Sequence, residues 1–136
     1  PSVVQNRFGK GAAIYCVADI ECLASPDNDA LFVELLNKIL PPRLIEINAH
    51  PALWLSAFED KDRNLVLRIF NASNDTPPIT IVGGKAKVNL EGDQSIAGIT
   101  RMSDSQDLSF RADGNSVEFE IGAIRDFEAF VIKLAS

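Results

Sequence analysis

A chain of 136 residues with 46% apolar and 24% charged side chains has the length and composition of one ordinary globular domain, or of a small domain with an appended piece, and is neither disordered nor fibrous. Its net charge of −6 and lack of any Lys/Arg cluster argue against a phosphate-neutralising surface, so neither nucleic acid nor an anionic membrane is expected as a partner. No charged-then-apolar leader and no apolar run of about 18 residues occurs within these residues, so no targeting segment or membrane span is expected in them, and the compartment is left open.

Two apolar segments, residues 3–8 and 12–18, flank Gly9-Lys10-Gly11, a connection with the glycines that a tight hairpin needs. Ser25-Pro26 then opens a helix over residues 27–40. Ser is a good N-cap, Pro suits the first helical position, and Asp27 and Asp29 fall near the positive end of the helix dipole. Leu31, Phe32, Leu35, Leu36, Ile39 and Leu40 recur at helical spacing as one apolar stripe, and Pro41-Pro42 ends it. Residues 1–41 therefore read as β-β-α.

Beyond Pro42 the period changes to two. Residues 44–48 and 52–58 are separated by His50-Pro51, and the second run turns through Glu59 to Arg63 and returns as residues 64–71, a hairpin pattern. The polar tract 71–78 is a loop. Short strands follow at 79–82, 85–90, 95–100 and 108–111. In 116–121, Val117, Phe119 and Ile121 alternate with Glu118 and Glu120, the mark of a strand buried on one side, and residues 127–134 form the last strand. The fold class expected is mainly β with a small α/β element: an antiparallel β-sandwich, residues 42–136, preceded by the β-β-α segment, residues 1–41.

Candidate chemistry is sparse. His50 has no Ser or Cys nucleophile near it in sequence and is read as structural or solvated. Cys16 and Cys22 are read as inert thiols, since two cysteines and one distant histidine build neither a disulfide framework nor a zinc site. Gly83-Gly84 and Gly9-Lys10-Gly11 are turns, because neither opens a helix as a phosphate cradle must. No catalytic residue, cofactor or metal is assigned. Three carboxylate groups invite a glycosidase comparison: Asp19 with Glu21, Glu59 with Asp60 and Asp62, and Glu118 with Glu120. The last two groups read as a hairpin tip and a wet strand face. Asp19 and Glu21 leave a strand where active sites of open α/β sheets lie, and are the low-ranked candidates for functional acids.

The aromatic pattern is the most informative. Alternation puts Trp54, Ser56 and Phe58 on one face with Val66, Arg68 and Phe70, and Leu53, Leu55 and Ala57 on the other with Leu65, Leu67 and Ile69. The aliphatic face is expected to be core. The mixed face, marked by Trp54, Phe58, Arg68 and Phe70, has three readings that stay open: a docking interface, a second core layer, or a sugar-stacking platform.

The order of these elements resembles a known group. GKG followed by an apolar strand with Tyr15 and ending in Asp19, a helix, Pro-Pro, the strand LVLRIFNAS, and a final DG turn and strand followed by FEAFVIKL are similar to the carboxy-terminal end of multidomain glycoside hydrolases of the β-galactosidase type. The similarity runs the whole chain. Gly9, Lys10, Gly11, Tyr15 and Asp19 match the last strand of that group's amidotransferase-like α/β domain, residues 65–71 match a strand ending in Asn, and residues 113–134 match the last two strands. Arg68-Ile69-Phe70-Asn71 stands where the group often carries His-Leu-Val-Asn. The resemblance implies a parent with a catalytic (β/α)₈ barrel that holds the catalytic glutamates, followed by an α/β domain that can mediate trimerisation and a small β domain. It implies that this chain, which opens on Pro1 without Met, is a piece of such a parent. The expected partners are the rest of the parent chain, further copies forming a homo-oligomer, or carbohydrate. The expected function is a non-catalytic accessory region that stabilises or oligomerises a glycosidase; the alternatives are a carbohydrate-binding module built around Trp54 and a small independent enzyme using Asp19 or Glu21.

Overall fold

The computed structural model describes residues 2–18, 20, 25–75, 77–92 and 94–135. They divide into two units, Pro1–Arg43 and Leu44–Ser136.

In the first unit β1 (Val3–Phe8) and β2 (Gly11–Cys16) form an antiparallel hairpin whose register runs from Val3 opposite Cys16 to Phe8 opposite Gly11. The second strand stops two residues earlier than its apolar run. The Val17 N–H still reaches the Ser2 carbonyl at 2.9 Å, after which the backbone bends away. Helix α1 (Pro26–Asn37) begins as expected, with extended Ser25 accepting the Asn28 N–H through its hydroxyl at 3.3 Å and Pro26 in the first turn. It ends before Leu40. Leu40 precedes Pro41, whose ring disfavours helical backbone in its predecessor, and the final turn tightens as the Lys38 and Ile39 N–H groups bond carbonyls three residues back. The apolar stripe is only partly covered: Leu35 is buried, whereas Leu31 and Phe32 remain exposed.

The second unit holds β3 (Ile45–Asn48), β4 (Leu53–Glu59), β5 (Leu65–Asn71), β6 (Ile81–Val82), β7 (Lys85–Asn89), β8 (Ile96–Arg101), β9 (Gln106–Asp107), β10 (Phe110–Asp113), β11 (Ser116–Glu120), β12 (Ala123–Ile124) and β13 (Phe127–Leu134). They pair antiparallel into a four-stranded sheet, β10-β11-β7-β3, a five-stranded sheet, β4-β5-β13-β8-β9, and a small β12-β6 pair. Leu67, Ile69, Ile99, Phe130 and Ile132 of the larger sheet and Ile45, Val88, Val117 and Phe119 of the smaller one share a single hydrophobic core. The chain is therefore mainly β, an antiparallel sandwich preceded in sequence by β-β-α.

Alternation in β11 sends Val117 and Phe119 inward and leaves Glu118 and Glu120 facing out. In β4 the outcome departs from the expected core face. Leu53 is buried, but Leu55 and Ala57 are exposed. β4 is the edge of a five-stranded sheet opposed by four strands, so its inward side runs out of opposing surface. Strands β9 and β12, of two residues each, are too short to show any period, and β10 lies two residues further along than the run at 108–111.

Candidate functional site

Three adjacent strands of the larger sheet present outward residues in matched rows. Trp54 on β4 lies opposite Phe70 on β5, and Phe70 opposite Phe127 on β13. The next row is Ser56, Arg68 and Ala129, and the third is Phe58, Val66 and Val131. The outward direction follows from the period of two, because the intervening Leu67, Ile69 and Phe130 are wholly buried in the core. Trp54 is 67% exposed, Phe127 49%, Phe58 43% and Phe70 39%, so this surface is not a second core layer within the unit.

The geometry gathers Trp54, Phe58, Arg68 and Phe70 onto one surface. The Arg68 guanidinium carbon lies 4.8 Å from the centre of the Phe58 ring and 5.9 Å from that of Phe70, a double cation–π seat. The Phe70 and Phe127 rings are 5.0 Å apart and tilted by 42°. Among the described residues the Arg68 side chain has no hydrogen bond or ion pair, and the buried Ser56 Oγ in the same row has no hydrogen-bond partner. Phe127 is the member that the sequence pattern did not single out. β13 carries apolar residues on both faces, Phe130 and Ile132 inward and Phe127, Ala129 and Val131 outward, and that doubling was the available signal of a central strand with an apolar outer side.

The other candidates fall elsewhere. Asp19, Glu21 and Cys22 lie outside the described residues. His50 is exposed, and its Nδ1 accepts the Ala52 N–H at 3.2 Å, which ties the Pro51 turn. At the β4–β5 tip, Asp60 Oδ1 accepts the Asp62 and Asn64 N–H groups at 2.8 Å each, and Oδ2 accepts the Asn64 side-chain amide at 3.0 Å. The Asn64 amide, with the backbone N–H groups, holds the Asp60 carboxyl below its ordinary pKa. Glu118 and Glu120 flank Lys85 at 2.8 and 3.7 Å on the outer face of the smaller sheet; hydrogen bonding to Lys85 lowers the Glu118 pKa, and Glu118 raises that of Lys85.

A buried carboxylate sits at the β8–β9 turn. Glu128 accepts the Ser103 hydroxyl, the Ser103 N–H at 3.3 Å and the Ala129 N–H at 2.9 Å. Arg101 forks onto Asp104 at 3.0 and 2.6 Å and also donates to Gln106, lowering the Asp104 pKa chiefly through the side-chain hydrogen bond. Both groups spend their bonding capacity on the 101–106 turn and serve to hold it. In the first unit a cavity of about 420 Å³ lies between hairpin and helix, lined by Ile14, Cys16, Phe32, Leu35 and Ile39 among others. Among the described residues no group of three His, Cys, Asp or Glu side chains could hold a metal ion.

No protein-family model and no curated protein matches the chain. One solved structure is similar throughout: α-L-fucosidase isoenzyme 2 from Paenibacillus thiaminolyticus, with a TM-score of 0.73 and 13% identity over 100% of this chain and 22% of that one. The chain thus spans less than a quarter of that protein's length, and the two share a fold over it.

Proposed function

We propose that this chain is a non-catalytic accessory region of a glycoside hydrolase, working beside a catalytic domain that it does not itself contain. The observation that carries this reading is the end-to-end likeness of the chain to 22% of a structure named as an α-L-fucosidase. The support reaches the class of glycoside hydrolases and does not extend to the β-galactosidase type that the motifs resemble.

Within that role the two units suit different tasks. The first presents a two-stranded hairpin with Val3, Val4, Phe8 and Tyr15 exposed, and an isolated pair of strands is marginal in water without further partners. That hairpin suits docking to the rest of a parent chain or to another copy, and so stabilisation or oligomerisation. The second unit offers the Trp54 face, which favours the other reading, a carbohydrate-binding module, because its rings stand exposed along one row.

Turnover tests the accessory role. The purified chain is expected to release no nitrophenol from a panel of nitrophenyl glycosides, fucosides and galactosides included. Release that Asp19→Asn or Glu21→Gln abolishes would instead make the chain an enzyme in its own right.

A further inference from the structure

The outer face of the five-stranded sheet carries an unneutralised cation in an aromatic setting. Arg68 projects from its centre, seated on Phe58 and Phe70, and no carboxylate on β4, β5 or β13 faces the same way; Lys133 adds a second positive charge at the far end of β13. The outward carboxylate of that sheet is Asp107 on β9, three strands from Arg68 and already accepting the Thr100 hydroxyl at 2.9 Å. The strands of this face therefore carry a net positive charge on a chain whose total is −6. Such a surface selects an anion that can also lie on aromatic rings.

The ring arrangement narrows the anion further. Trp54, Phe70 and Phe127 occupy one row across three neighbouring strands. Neighbouring strands are about 4.8 Å apart, close to the advance of one pyranose ring along an extended glycan. The apolar faces of successive sugars can rest on successive aromatic side chains, running across the strands. Arg68 lies one residue pair away from that row, at its middle, with its donors unspent. A guanidinium fork matches a carboxylate bidentately, and its seat on two rings holds it in place before any ligand arrives.

We infer that this face binds an acidic glycan, with Trp54, Phe70 and Phe127 stacking consecutive sugars and Arg68 taking the carboxylate of a uronic acid residue. This rests on the carbohydrate-binding reading of the face and is independent of whether the chain is catalytic, so its failure leaves the accessory role standing and the turnover assay judges that role separately.

Trp54 is the single tryptophan of the chain, so its emission reports this face alone. The test is a fluorescence titration, paired with calorimetry, using a short oligogalacturonide and a neutral galacto-oligosaccharide of matched length. The acidic oligomer is expected to give a saturable change that weakens with added salt, with the neutral one binding at least about tenfold more weakly. Arg68→Met, which keeps the apolar stem, is expected to lose about tenfold in affinity for the acidic oligomer and to leave the neutral one unchanged. Should Arg68→Met fail to fold by circular dichroism, Arg68→Lys, which keeps the charge and drops the fork, is expected to bind more weakly than the wild type. The inference is overturned if the acidic oligomer gives no saturable change, if both oligomers bind alike, or if Arg68→Met binds the acidic oligomer as the wild type does. It is equally overturned if Trp54 emission shifts to the blue with protein concentration alone as the mass doubles in sedimentation, which would give the face to a second copy of the chain.

Discussion

The Phe119 and Phe130 rings meet edge to face across the sandwich, 5.3 Å between centres and 60° between planes, one from each sheet. Phe130 is wholly buried and sits in the middle of the core. Phe130→Ala is expected to destabilise the second unit by about 3–5 kcal/mol, whereas Phe130→Leu, which keeps most of the volume, should lose less than half of that. Urea midpoints followed by far-UV circular dichroism measure both, and equal losses for the two variants would show that ring packing is not what Phe130 supplies.

Gly84 is fixed by two constraints at once. Its φ is +117°, and a Cβ there would lie 2.6 Å from the Ala49 Cβ and 3.1 Å from the Ile121 Cδ1. Gly84→Ala is expected to lower stability by about 3 kcal/mol, since backbone strain and overpacking act together. Gly114 has φ +57° but open space around the missing Cβ, so Gly114→Ala should lose only about 1 kcal/mol. Thermal melts of the two variants side by side check the ordering, and the reverse ordering would discredit the close contact at Ala49.

Asn71 binds three separate backbone segments. Its side-chain amide donates to the Ile79 carbonyl at 2.8 Å and the Arg125 carbonyl at 2.7 Å, while its Oδ1 accepts the Ser73 N–H at 3.0 Å. Two of these bonds need a donor, so Asn71→Asp should be no better tolerated than Asn71→Ala, each losing about 1–2 kcal/mol. Wild-type stability in the aspartate variant would mean that the carbonyls of residues 79 and 125 are satisfied by other means.

Asp60 makes the β4–β5 turn sensitive to acid. Its carboxyl is held below the usual value, first by the Asn64 side-chain amide and then by backbone N–H groups, so the charged form is favoured in the folded state. A depressed folded pKa contributes stability that is present above the unfolded value, about 3.9, and is lost as pH falls through the folded one. The gap in urea midpoint between wild type and Asp60→Ala should therefore be constant near neutral pH and narrow below about pH 4. A gap unchanged down to about pH 2.5 would assign the effect to turn geometry rather than to charge.

Where a local period was long enough to state which side faced the core, the sequence made the architecture readable. Val117 and Phe119 against Glu118 and Glu120 told the orientation of β11, and Ser25-Pro26 told where α1 begins. What was hidden depended on neighbours. That Leu55 and Ala57 would lie exposed follows from β4 being an edge, and edge position is decided by pairings between residues far apart in the chain. The rows of the aromatic face were half legible: alternation grouped Trp54, Phe58, Arg68 and Phe70 within one hairpin. Phe127 joins them only because β13 inserts beside β5, a pairing across more than fifty residues.

That insertion governs when the domain can fold. In the order β4-β5-β13-β8-β9, the strand that lies in the middle comes last in sequence, and its partners β5 and β8 have no pairing with each other. A nascent chain ending short of residue 127 holds a β4–β5 hairpin and a β8–β9 hairpin that cannot yet meet, with Leu67, Ile69 and Ile99 lacking the strand they pack beside. The five-stranded sheet is thus closed by this eight-residue strand, so its half of the core is complete only once residues 127–134 have been made.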